Sequence, residues 1–143
     1  MTTPKLSPIL STLQQKGYRL TRTRKQIINI FESNHNPMSA LEINTFLKSG
    51  GTIINKSTLY REIEFLVDQK ILNTIQLQEK TKRYELTHLD HHHHLICQKC
   101  HQITDFDIEN CLVDLLNKVS IDKQFMIKDH ILDLYGLCVK CKN

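Results

Sequence analysis

Apolar positions recur at helical spacing over the first half of the chain and in short strand-like runs beyond it. Leu6, Ile9, Leu10 and Leu13 share one helical face, and Gly17 follows as a stop. Thr21 is placed to cap a second helix whose apolar stripe is Ile27, Ile28 and Phe31. Ser39, with Glu42 three residues on, has the form of a capping box. It opens a third helix carrying Leu41, Ile43, Phe46 and Leu47, closed by Gly50-Gly51. A fourth helix is predicted over 57–70, with Leu59, Ile63, Leu66 and Val67 inward and Thr58, Tyr60, Arg61 and Glu62 toward solvent. Strands are predicted over 71–77 and 82–86, joined by the polar Gln78-Glu79-Lys80-Thr81. Short helices followed by a hairpin form the winged helix-turn-helix arrangement, whose last helix enters the major groove of DNA.

The remainder reads as a smaller α+β unit. A strand over 91–97 is followed by a hairpin partner over 103–106. A helix with Ile108, Leu112, Leu115, Leu116 and Val119 on one face comes next, and 125–137 is again strand-like. The expected architecture is a small sheet packed on one helix. So short a unit buries little apolar surface. A zinc staple or pairing with a second copy would make up the difference. The expected boundaries are 1–86 for the winged helix and 87–143 for a small α/β dimerisation domain.

Charge follows the same division. Residues 1–83 hold 13 Lys+Arg against 6 Asp+Glu, and residues 84–143 hold 6 against 9, within a whole-chain net of +4. A basic first half suits nucleic acid, whereas the second holds all five cysteines and seven of the eight histidines. No stretch approaches the ~20 apolar residues of a membrane span. The N-terminus has no signal-peptide pattern. A cytoplasmic location is expected, where thiols stay reduced and paired cysteines point to metal before disulfide.

The histidine and cysteine pattern carries the chemistry. Cys97-Gln98-Lys99-Cys100 and Cys138-Val139-Lys140-Cys141 are two C-x-x-C pairs, together enough for a closed tetrahedral zinc shell with a structural role. The fifth, Cys111, is expected as a core thiol beside the helix stripe, with a metal-ligand role as the less favoured alternative. Four consecutive histidines, His91 to His94, run into the first pair. Strand alternation puts His92 and His94 on one face and His91 and His93 on the other. Glu85 and Asp105 are candidate carboxylates for the first face, and His130, preceded by Asp129, is a candidate for the second. A nitrogen and oxygen site without sulfur suits Fe(II), Mn(II), Co(II) or Zn(II) held more weakly than four thiolates hold zinc. Such a site can follow the supply of free ion and act as a sensor.

The chain closely resembles the ferric uptake regulator family of bacterial repressors, from Gly17 to Cys141. The resemblance rests on Gly17-Tyr18-Arg19-Leu20-Thr21-Arg22-Thr23-Arg24, Ser57-Thr58-Leu59-Tyr60-Arg61, Arg83-Tyr84-Glu85-Leu86, His91 to Cys100, and His130 through Tyr135-Gly136-Leu137-Cys138. It implies a homodimer that represses transcription by binding an A/T-rich palindromic operator in double-stranded DNA when a divalent metal (Fe2+, Mn2+ or Zn2+) is bound. It implies structural Zn2+ on Cys97, Cys100, Cys138 and Cys141, and regulatory metal on Glu85, His92, His94 and Asp105. A further site is implied at His91, His93 and His130, with Glu109 as its carboxylate. Arg19, Thr58, Tyr60 and Arg61 fall at DNA-binding positions, with Arg19 directed to the minor groove. The family usually has a regulatory histidine where this chain has Pro37, and His35 lies two residues earlier. Pro37 is similar to zinc-sensing members and Asp105 to peroxide-sensing ones, so the resemblance implies a divalent-metal sensor without naming the ion. No enzymatic activity, membrane association or small-molecule substrate is expected. The rival classes are a zinc-dependent hydrolase, which lacks an H-E-x-x-H motif here, and a zinc-stapled protein-interaction module.

Overall fold

The computed structural model describes residues 6–77, 80–87 and 91–142. The chain divides into two compact units, Met1–His88 and Leu89–Asn143. Part of the expected turn over 78–81, and His88 to Asp90, lie outside the described residues.

Local capping starts every helix of the first unit. Ser7 caps α1 (Pro8–Gln15), Thr21 caps α2 (Arg22–Ser33) and Asn55 caps α4 (Lys56–Asp68), each accepting from a backbone N–H three residues on. After α1 the backbone reverses at Gly17, whose φ of +82° favours a residue without Cβ. Ser39 and Glu42 form the full reciprocal capping box at α3 (Ala40–Ser49). Glu42 Oε2 also accepts from Arg83 Nη1 at 2.8 Å, which ties α3 to the sheet. Burial opposes ionisation of Glu42. The hydroxyl and N–H of Ser39, with Arg83, outweigh it and hold the carboxyl below its ordinary 4.5.

The sheet of this unit is β1 (Met38–Ser39), β3 (Arg83–Leu86) and β2 (Leu72–Ile75), in that order and antiparallel. Under it the helices bury Leu13, Ile27, Ile28, Phe31, Ile43, Leu47, Ile63 and Leu66 almost completely. Each such side chain contributes about 1.5–3 kcal/mol relative to an exposed one. Three details differ from the sequence-based expectation. Leu41 is 74% exposed, and Phe46 is exposed as well, because α3 turns only its Ala40/Ile43/Leu47 face inward. Glu62 is not a solvent-facing charge; it pairs with Arg24. The strand β1 was not foreseen, being two residues long and too short to show a period.

The second unit centres on β4 (His93–Cys97). It pairs antiparallel with β5 (Ile103–Phe106) on one side and parallel with β6 (Asp133–Gly136) on the other. The helix α5 (Val113–Lys123) lies between β5 and β6 in sequence. It starts later than the apolar spacing suggested, because Asn110 and Leu112 adopt φ near +53° and +52° and break the helical path. The expected packing of this helix on the sheet is also corrected. No α5 residue is buried, and Val113, Leu115, Val119 and Ile121 are exposed. Likewise β6 is four residues rather than the run over 125–137. Among the described residues no helix is long and apolar enough to cross a membrane.

Candidate metal centres and nucleic-acid face

Strand β4 ends at Cys97, and the turn after it carries Cys100. Parallel pairing with β6 brings the end of that strand alongside, fixed by Gln98 N–H donating to the Gly136 carbonyl at 2.8 Å. Two residues later Cys138 and Cys141 flank a tight turn closed by Cys141 N–H on the Cys138 carbonyl. The four sulfurs consequently converge, all within 4.8 Å of one another. Cys100 and Cys138 sulfurs stand 3.7 Å apart. A zinc tetrahedron with Zn–S near 2.3 Å has an S···S edge of about 3.8 Å, which the Cys100–Cys138 edge already matches. Backbone N–H groups of Cys100 and Cys138 pull the Cys97 thiol down to about 5, against the opposing effect of burial. Cys141, hydrogen-bonded to the sulfur of Cys138 and crowded by Cys100 and Cys97, is pushed up to about 12. Cys97 is thus driven toward the thiolate while Cys141 is driven away from it, the pattern expected where several thiols crowd one point and a divalent cation would take the protons' place.

Alternation along β4 and the residues before it sorts the histidines into two sets. His92 and His94 stack edge to face at 5.1 Å on one side. Register places His94 opposite Asp105 on β5 and opposite Asp133 on β6. His94 Nε2 is 3.9 Å from Asp105 Oδ1, and His94 Nδ1 is 3.1 Å from Asp133 Oδ1. Asp133 was missed by sequence reasoning. Its signal was a parallel β4–β6 pairing that spacing alone does not reveal. Glu85 sits on β3 of the first unit, opposite Asn73.

On the other side His91, His93 and His130 gather with ring centroids 4.7–5.4 Å apart. Burial, helped by His91 and His130, lowers the His93 pKa from its ordinary 6.5. The fourth member of the group is Cys111, whose sulfur lies 2.7 Å from His93 Nε2 and 3.1 Å from His130 Nε2. This corrects two expectations. Glu109 is exposed and does not join the group, and Cys111 is not a core thiol. The left-handed residues on either side of Cys111 turn its side chain to the histidines, a bend that apolar spacing could not announce.

In the first unit, α4 is pinned by three buried residues, Leu59, Ile63 and Leu66, and by Arg24 of α2. The Arg24 guanidinium lies 3.6 Å over the Phe65 ring and donates to Glu62 at 2.9 Å and to the Arg19 carbonyl at 2.7 Å. Tyr18 meets the same ring edge-on. The opposite side of α4 leaves Tyr60 and Arg61 exposed, with Thr58 half-buried in the first turn and Lys56 Nζ 5.8 Å over the Tyr60 ring. Arg19 is exposed ahead of α2.

Residues 15–135 match the model of the ferric uptake regulator family. The chain belongs to that family. The ferric uptake regulation protein of Synechococcus elongatus is 32% identical over 135 residues, spanning 91% of this chain and 90% of its own length. The ferric uptake regulator of Francisella tularensis, solved with iron, is 27% identical with a TM-score of 0.78, covering 89% of this chain and 96% of that one. A zinc-bound manganese uptake regulator is 26% identical with a TM-score of 0.75, covering 90% and 97%. This ferric uptake regulator family member is a metal-responsive transcriptional regulator. Pro37 is buried, with its carbonyl 3.4 Å from Arg83 Nη1, while His35 is exposed on the loop before β1.

Proposed function

We propose that the chain is a homodimeric repressor that binds operator DNA when a divalent ion, Fe2+, Mn2+ or Zn2+, occupies a site formed by His92, His94 and Asp105 with Glu85. The observation that carries this reading is the separation of donors. Four sulfurs stand together at one end of β4, while His94 stands at the other in line with two carboxylates. Thiolates would keep structural Zn2+ permanently, and the nitrogen and oxygen donors would load and unload with ion supply. Both sets sit in one small unit, with Glu85 only a few residues before it in sequence. Ligation across that connection would restrict how the two winged helices are held, and hence whether they match half-sites one helical turn apart.

Arg19, Thr58, Tyr60 and Arg61 would meet DNA, Arg61 and Tyr60 at base edges and the Lys and Arg residues of the first unit at phosphates. The exposed apolar residues of the second unit support the dimer. Leu95, Leu134, Leu137 and Val139 border an open cavity of about 450 Å3, and α5 adds Leu115, Val119 and Ile121. Apolar patches such as the one around this cavity mark protein–protein contact sites. The protein would act in the cytoplasm and turn over no substrate.

The test is binding of an A/T-rich palindromic duplex by zinc-filled protein, followed by fluorescence anisotropy with and without added Mn2+. Binding that requires Mn2+, and is lost in Tyr60→Ala with Arg61→Ala, is the expected result. Hydrolytic activity with metal-independent DNA binding would refute it.

A further inference from the structure

We propose that Cys111 completes a third metal site with His91, His93 and His130, and that this set of three nitrogens and one sulfur takes a thiophilic divalent ion, Zn2+, in preference to Mn2+ or Fe2+. The proposal does not depend on the repressor reading, since it rests on the second unit alone.

The geometry is that of converging ligands. Nε2 of His93 and Nε2 of His130 both aim at the one sulfur, at 2.7 and 3.1 Å. A thiol has a single weak donor proton and can serve only one of two imidazole lone pairs. A cation placed among the four atoms serves them all. All four donor atoms lie within 4.8 Å of one another. The N···S edge of a zinc tetrahedron is about 3.5 Å, from Zn–N near 2.05 Å and Zn–S near 2.3 Å. From 2.7 and 3.1 Å the two N···S edges would need to open by about 0.8 and 0.4 Å. His93 is 2% exposed, so one imidazole of the set is already enclosed beside the other three donors.

The sulfur decides the ion. Three imidazoles alone suit many divalent metals, but a thiolate added to them favours zinc over the harder manganese and iron. The ligands also come from separate pieces of chain: β4 and its lead-in, the bend before α5, and the loop before β6. A bound ion would therefore fix where α5 begins, on a helix that buries none of its own residues.

Cobalt(II) reports the site directly. Co2+ is added to protein whose four-cysteine site holds zinc, with zinc content checked by native mass spectrometry before and after. The wild type should develop a near-ultraviolet sulfur-to-cobalt band that saturates at one equivalent and is bleached by Zn2+ but not by Mn2+. Cys111→Ser should lose the band while keeping its original zinc and its circular dichroism spectrum, and Glu109→Ala should keep the band. Zinc affinity at this site should fall by more than about ten-fold in Cys111→Ser, since even indirect partners of a ligand are worth that much. Absence of the band in the wild type, its persistence in Cys111→Ser, or its displacement equally by Mn2+ would each overturn the proposal.

Discussion

His94 Nδ1 lies 3.1 Å from Asp133 Oδ1, across the only parallel strand pair among the described residues. If the ring donates from Nδ1, its lone pair is left on Nε2, the nitrogen that faces Asp105 at 3.9 Å. A carboxylate behind a ligating imidazole fixes its tautomer and strengthens it as a donor. Asp133→Asn should therefore weaken Mn2+ binding at the His92/His94 site by about 10–100-fold. Zinc on the four cysteines should stay. Chelator competition for Mn2+ measures this, and unchanged affinity would remove Asp133 from the site.

Arg24 holds α4 from behind. It caps the Phe65 ring and pairs with Glu62, both side chains being largely enclosed at 11% and 15% exposure. Arg24→Ala should cost the first unit about 2 kcal/mol in urea unfolding. It should also weaken duplex binding without touching a DNA-facing side chain. Arg24→Lys should rescue little, since an ammonium cannot stack on the ring and reach Glu62 in the same way.

Glu42 gives a pH dependence of known sign. Its folded pKa is lowered, so its contribution is fully present above the unfolded carboxylate value and lost as pH falls through the folded one. Glu42→Gln should lower stability at neutral pH by about 1 kcal/mol, the usual worth of a cap. The gap between wild type and variant should close as pH drops below 4.5. Thermal melts at several pH values decide it; a gap that widens in acid would contradict the network.

The apolar face of the second unit should be where two copies meet. Leu134→Asp with Leu137→Asp places two charges on a surface that would be dry in a dimer. Sedimentation should show wild-type dimer and variant monomer. A variant that remains dimeric puts the interface elsewhere.

Much of this was legible beforehand because it is local. Thr21, Ser39 and Glu42 announce their helices by side-chain chemistry within four residues, and the alternation of four histidines sorts itself by strand period. The two C-x-x-C pairs need only a turn each. What escaped depends on chain reversal. Asp133 reaches His94 through a parallel pairing across the length of α5, and Cys111 reaches the histidines through two left-handed residues that favour no particular sequence. Glu109, the residue that composition would choose as a ligand, lies two positions away and faces solvent. The apolar stripe of α5 misled for a related reason, because period reports that a face is to be covered, not that the same chain covers it.

The most direct measurement is the affinity of zinc-filled protein for the duplex as a function of free Mn2+ or Fe2+, in the wild type and in His94→Ala. The wild type should tighten by one to two orders of magnitude as the ion is raised, within the ordinary range of allosteric coupling of about 1–3 kcal/mol. His94→Ala should stay at the weak, metal-free level while keeping one zinc per chain and its dimeric state. Identical curves for the two proteins would show that the nitrogen and oxygen donors around His94 are not what the DNA-binding state responds to.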